Sequence, residues 1–264
     1  MNFTKMQGLG NDYLYIWADR VPEDAAELSR RLSDRHFGVG ADGMIWMLPS
    51  AVADLRMRIF NADGSEGAMC GNGIRCVGKY VYEKGLCPKT ALTVETNAGV
   101  KTLHLTVEQG VVTSVRVDMG RARVLPPERR TYGGSEWTLL PVDLGNPHAV
   151  LFVSGGQTLA PEELGPALQK DPRFPDGVNL ELVQPLSKDR LRMRVYERGS
   201  GVTLACGTGA CASAAAAVAS GICKPDEDIT LVLDGGELSI RVDRQGNVTM
   251  TGPAEFVCEG ETFV

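Results

Sequence analysis

Residues 55–60, Leu-Arg-Met-Arg-Ile-Phe, alternate apolar and charged side chains, and residues 191–196, Leu-Arg-Met-Arg-Val-Tyr, repeat the pattern almost letter for letter. A period of two is that of a strand with one face buried. Residues 102–107 alternate in the same way. They lead into a hairpin that turns at Gln109-Gly110 and returns along 111–118. A matching hairpin runs through 238–243, turns at Gln245-Gly246 and returns along 248–251.

Helical spacing replaces alternation at three places. Ile74, Val77, Gly78 and Val81 follow Cys70 at helical intervals, and Gly85 supplies a stop. The alanine run after Cys206 favours helix up to Val218, with Gly221 as its stop. Its small side chains on nearly every face suit a helix surrounded on all sides. A third helix is predicted over residues 22–36, with proline near its first turn and Gly38 past its end.

These elements are written twice. "MCGNGIRC" at 69–76 and "ACGTGACA" at 205–212 place a cysteine before Gly-polar-Gly, and Cys70 and Cys206 stand 136 positions apart. The same offset joins the two alternating strands and the two hairpin turns, and "LGND" (9–12) meets "LGNP" (144–147) at an offset of 135. The expected fold is therefore mixed α/β, of the α+β kind, with two pseudo-symmetric duplicated lobes. Each lobe is expected to wrap a mostly antiparallel sheet around a central helix. The expected boundaries are an N-terminal lobe at 1–122, joined by a C-terminal strand at 253–264, and a C-terminal lobe at 137–252. The stretch 123–136, rich in proline, glycine and charge, reads as the linker. Duplicated halves commonly face each other across a cleft, where ligands bind. The repeat thus predicts that the two cysteines look at one another.

Composition narrows the class. Of the 264 residues, 43% are hydrophobic and 23% charged, as in ordinary globular proteins. A formal net charge of −6 argues against a nucleic-acid partner. No run is long and apolar enough to span a bilayer, and the N-terminus lacks a secretory pattern. Seven cysteines, an odd number, suit reduced thiols in a cytoplasm.

Each repeated cysteine sits where a helix begins. Unpaired backbone N–H groups there carry roughly half a positive charge and lower the pKa of a nearby thiol. The glycines at 71, 73, 207 and 209 leave those amides open to an anion such as a carboxylate. Two such nests facing one substrate suggest inversion at a carbon next to a carboxylate. One thiolate removes the α-proton, and the opposite thiol delivers a proton to the other face. The helix amides stabilise charge that builds on the carboxylate.

"QGLGNDY", "FNADGSEGAMCGNGIRC", "LGNPHAV", "GVNLELV" and "YERGSGVTLACGTGACASAA" resemble the signature segments of the diaminopimelate epimerases. The resemblance covers both halves. It implies a homodimeric enzyme that interconverts LL- and meso-diaminopimelate without pyridoxal phosphate or metal, on the route to lysine and peptidoglycan. By motif position it makes Cys70 and Cys206 the acid/base pair. Gly71, Asn72, Gly207 and Thr208 would cradle the reacting carboxylate. Asn11, Asn61, Asn146, Asn179, Glu197 and Arg198 would hold the remaining groups of the substrate. His148 and Glu197 would assist the thiols, one apiece. Three positions depart from the family pattern: Gly43 where many members carry Gln, Val202 where Glu is common, and Cys258 where an aromatic often supports the dimer.

Other readings fare less well. The unequal Cys70/Cys76 and Cys206/Cys211 gaps lack a histidine and the zinc spacing. "GVGADG" (38–43) follows a helix and precedes a strand, the reverse of a dinucleotide fingerprint. Proline or hydroxyproline racemases of the same fold are the alternative enzyme class. A duplicated module that binds a carboxylate without chemistry is the alternative outside enzymes. The two active thiols are also expected to form a disulfide when the empty cleft closes under oxidising conditions.

Overall fold

Alternation becomes pairing in the computed structural model, which describes residues 1–132, 134–154 and 160–263. The chain divides into two units: Met1–Asp118 with the residues from Gly252 onward, and Met119–Thr251.

The first unit opens with β1 (Asn2–Gly8) and β2 (Asn11–Trp17), followed by α1 (Ala25–Ser33), β3 (Gly43–Leu48), β4 (Leu55–Asn61) and the short β5 (Glu66–Gly67). Then come α2 (Gly71–Glu83), β6 (Ala91–Thr96), β7 (Gly99–Glu108) and β8 (Val111–Arg121). Most pairings are antiparallel; β2–β3 and β4–β6 are parallel. Leu14, Ile16, Met44, Trp46 and Phe60 form a core with Leu32 of α1.

Helix α1 is shorter than the 22–36 expected. Asp34 leaves helical geometry (φ −58°, ψ 126°), and its Oδ1 accepts hydrogen bonds from the His36 and Phe37 amides at 2.7 and 2.8 Å. This local turn competes with a further helical turn. At the other end, Pro22 contributes only a carbonyl, which the Ala25 amide reaches.

The second unit contains β9 (Arg123–Val124), β10 (Glu128–Tyr132), β11 (Ser135–Asp143), β12 (Pro147–Phe152), α3 (Pro161–Leu168), β13 (Asn179–Ser187), β14 (Arg190–Glu197) and β15 (Gly201–Thr203). It continues with α4 (Gly207–Ala219), β16 (Asp228–Leu233), β17 (Gly236–Val242) and β18 (Asn247–Gly252). Again two pairings are parallel, β12–β13 and β14–β16, and they stand where the repeat places β2–β3 and β4–β6. Helix α4 touches β9, β11, β12, β13, β14, β16 and β17, and its residues from Gly209 to Ala217 are buried without interruption. Its alanines leave room for strands on every side.

The stretch 123–136 does more than connect. β9 pairs with the end of β11 (Val142 opposite Val124), and β10 pairs with its start (Glu128 opposite Leu139). The proline and glycine there punctuate two short strands. The last strand, β19 (Glu255–Glu261), pairs with β1 in the first unit.

Candidate active site

Cys70 and Cys206 are the N-caps of α2 and α4, with extended backbone dihedrals (φ −125°, ψ 119° and φ −118°, ψ 112°). Each sulfur accepts the amide of the residue three further on, Gly73 at 3.3 Å and Gly209 at 3.4 Å. Ser, Thr or Asp oxygens fill this role in most helices. A sulfur placed there has a donor aimed at it, which favours the thiolate.

Space is tight three residues on because side chains of a neighbouring strand reach the turn. A Cβ on Gly73 would stand 2.6 Å from Ile45 Cδ1, and one on Gly209 would stand 2.7 Å from Glu181 Oε1. Ile45 and Glu181 occupy matching places in the two units.

In the first unit, Asn11 binds both the thiol and an anchor. Its Oδ1 accepts from Cys70 Sγ at 3.3 Å, and its Nδ2 donates to Asp42 at 2.7 Å. Tyr13 lies beside Cys70 in the interior, where burial first and the thiol second push its hydroxyl well above the ordinary tyrosine range. Gly71 and Asn72 form the first turn of α2, and the Asn72 side chain accepts from the buried Arg75 guanidinium at 3.0 Å. Asn61 ends β4, where its Nδ2 donates to Ser65 at 3.0 Å. Gly43, opposite Asn61, has a backbone reason to be glycine: a Cβ there would lie 2.3 Å from the Phe60 carbonyl oxygen.

In the second unit, His148 and Glu181 are fully buried neighbours, with Nδ1 2.7 Å from Glu181 Oε1. His148 Nε2 lies 3.1 Å from Asn146 Oδ1, and Asn146 Nδ2 donates to Thr208 Oγ1 at 3.4 Å. Thr208 Oγ1 is 3.5 Å from Cys206 Sγ. Gly207 and Thr208 make the first turn of α4. Burial pushes the Cys206 thiol well above its ordinary range, and the carboxylates of Glu197 and Glu181 add to the rise. Thr208 and the Gly209 amide oppose it.

Glu197 ends β14, where Thr203 donates its hydroxyl to the carboxylate. Asn179 opens β13 and accepts the Arg198 amide at 2.8 Å, while the exposed Arg198 guanidinium reaches the Asp176 carbonyl at 3.3 Å. The resemblance gives His148 and Glu197 one thiol apiece; within this unit both act on the surroundings of Cys206.

The motif-based reading passed over Tyr13 and Glu181. The signal for Glu181 is a carboxylate inside the otherwise buried run 178–183. The signal for Tyr13 is its place in the first repeat, matching that of His148. The seven cysteines are thiols, with no disulfide among the described residues.

The fold defines the class first. It is shared with a probable proline racemase from Agrobacterium radiobacter (TM-score 0.76, 19% identity, covering 99% of this chain and 92% of that one). A PhzF-family phenazine biosynthesis protein from Bacillus anthracis is as similar (TM-score 0.76, 18% identity, 100% and 99% covered). The chain therefore has the mixed α/β fold of the proline racemase and PhzF structures.

Sequence narrows this to one family of isomerases. The family described as diaminopimelate epimerase matches residues 3–125 and 141–257, and the chain belongs to it. Diaminopimelate epimerase of Bacillus subtilis is 46% identical over 99% of this chain and 98% of its own length. That of Desulfovibrio desulfuricans is 46% identical over 100% and 99%.

Proposed function

We propose that this chain interconverts LL- and meso-diaminopimelate, with Cys70 and Cys206 as the two acid/base groups on opposite faces of one α-carbon. The carrying observation is the duplicated cap: each thiol begins a helix and accepts the amide of a glycine three residues on. Full-length similarity to enzymes named diaminopimelate epimerase supports the choice of substrate.

One cysteine thiolate takes the α-hydrogen as a proton, and the C–H electron pair passes to the carbon. The other cysteine gives its S–H proton to the opposite face. The thiol and thiolate have exchanged places, so the reverse reaction uses the same groups in swapped roles. Amides of Gly71, Asn72, Gly207 and Thr208 stabilise the carboxylate as charge spreads onto it. Asn11 and Asn146 orient the groups around the thiols. Asn61, Asn179, Glu197 and Arg198 take the distal ammonium and carboxylate, which need acceptors and donors respectively. His148 and Glu197 assist proton transfer. The chemistry uses neither pyridoxal phosphate nor a metal. The family resemblance supports reading the enzyme as a cytoplasmic homodimer.

The test is incubation with LL-diaminopimelate in deuterated water without added cofactor. Deuterium enters the new stereocentre of the product, and Cys70→Ala and Cys206→Ala each abolish turnover. Full activity in either variant would overturn the two-thiol reading. Turnover of proline in place of diaminopimelate would move the chain to the racemase alternative.

A further inference from the structure

Four hydrogen bonds in the second unit join end to end: Glu181 to His148, His148 to Asn146, Asn146 to Thr208, and Thr208 to Cys206. The chain begins at a carboxyl with no solvent exposure and ends at a sulfur assigned to chemistry. Its direction is set at the buried end. In the observed arrangement Asn146 Oδ1 faces His148 Nε2, so Nε2 must carry a hydrogen. Asn146 Nδ2 then donates to Thr208, and the Thr208 hydroxyl proton is left for Cys206 Sγ.

We propose that Glu181 is a positioning residue for Cys206: by holding a hydrogen on His148 Nε2 it aims the Thr208 hydroxyl at the sulfur and favours its thiolate. Nδ1 and Nε2 both take part in hydrogen bonds, so the Glu181–His148 pair must keep one proton beyond a carboxylate facing a neutral imidazole. Two features favour that. Glu181 Oε2 is buried with no hydrogen-bond partner among the described residues, an unfavourable place for an ionised oxygen. Burial also raises the proton affinity of Glu181, opposed by His148 and reinforced by Glu197.

The first unit argues that packing is not the reason for a carboxyl here. Ile45 fills the matching place against Gly73, so the fold accepts an aliphatic side chain at this position. Other charged groups acting on Cys206 are Glu197 at the end of β14 and Glu181 itself on β13; the first turn of α4 holds no acidic residue. Through space, Glu197 disfavours the thiolate, and an ionised Glu181 would do the same. The relay and the direct charge of Glu181 therefore predict opposite signs.

The inference rests on the assignment of Cys206 to catalysis, but its test does not depend on turnover. In a Cys70→Ser background, the rate of Cys206 alkylation by iodoacetamide is followed against pH by peptide mass. Glu181→Ile, which copies the first unit, and Thr208→Val should each move the profile to higher pH. At neutral pH each should slow alkylation about five- to tenfold, the net worth of one ordinary hydrogen bond. The double variant should be no slower than either single one, and Thr208→Ser should restore the parent profile.

A shift to lower pH in Glu181→Ile would show that its direct charge dominates, and an unchanged profile would show no relay; either overturns the proposal. Should Glu181→Ile fail to fold, Glu181→Leu takes its place and is read by the same signs. Loss of the proposed epimerase activity would instead appear in the deuterium experiment, with the alkylation profiles intact.

Discussion

At the residue scale, the two thiols share a backbone frame and differ in their surroundings. Cys206 is 5% exposed and faces two carboxylates, whereas Cys70 is half-buried beside Asn11 and Tyr13. Iodoacetamide near pH 7 should therefore modify Cys70 before Cys206 in the ligand-free protein. The raised pKa of Cys206 fixes the sign of the pH effect. Its thiolate appears only as pH climbs past the ordinary thiol value of about 8.5, so the difference in rate should narrow at alkaline pH. Peptide mass spectrometry after timed quenching reads the order, and earlier labelling of Cys206 would contradict it. The sequence exposed these cysteines because the Gly-polar-Gly context occurs twice. It left only a faint signal for Glu181, a carboxylate inside an apolar run, and the packing of β13 against Gly209 sets that side chain in the interior.

At the element scale, α2 and α4 begin alike and then diverge. Helix α2 buries Arg75 and Lys79 by giving each backbone acceptors: Pro253 and Gly71 for Arg75, and Val112 for Lys79. Helix α4 buries alanine instead. Its surroundings leave no space for longer chains, so Ala214→Leu should cost at least about 1–3 kcal/mol through overpacking. A urea titration followed by circular dichroism checks this, and an unchanged midpoint would mean that the shell around α4 is looser than described. Both helices were legible in the sequence, since cysteine cap, glycine stop and small-residue spacing agree. Helix α1 was over-extended because periodicity alone does not register the Asp34 turn. Helix α3 escaped notice because Gly165-Pro166 in its middle reads as a break. It holds through Leu164 and Leu168 in the core, while Gly165 lets the Tyr196 ring approach to where a Cβ would stand. The strands at 123–124 and 128–132 escaped for a similar reason: their pairing with β11 is tertiary, and their composition is that of a loop.

At the scale of the whole molecule, the repeat does not map onto two separate stretches of chain. The strand after the first repeated hairpin, β9, pairs with β11 in the second unit; the strand after the second hairpin, β19, pairs with β1 in the first. The first unit thus depends on the C-terminus for an edge of its sheet. Six residues of β1, from Asn2 to Gln7, have partners in β19, and the Arg75 guanidinium donates to the Pro253 carbonyl at 3.0 Å. Deleting residues 253–264 removes that ladder and leaves a buried cation short of an acceptor, a loss of roughly 3–5 kcal/mol if it matches other broken buried charge contacts. The second unit keeps its own strand pairings after the deletion. Tryptophans report the halves separately: Trp17 and Trp46 lie in the first unit and Trp137 in the second. With Trp137→Phe, the remaining fluorescence should show the first unit unfolding at markedly lower urea in the truncated chain. With Trp17→Phe and Trp46→Phe together, Trp137 should report a smaller shift. An unchanged midpoint for Trp17 and Trp46 would mean that β19 covers the first unit without stabilising it.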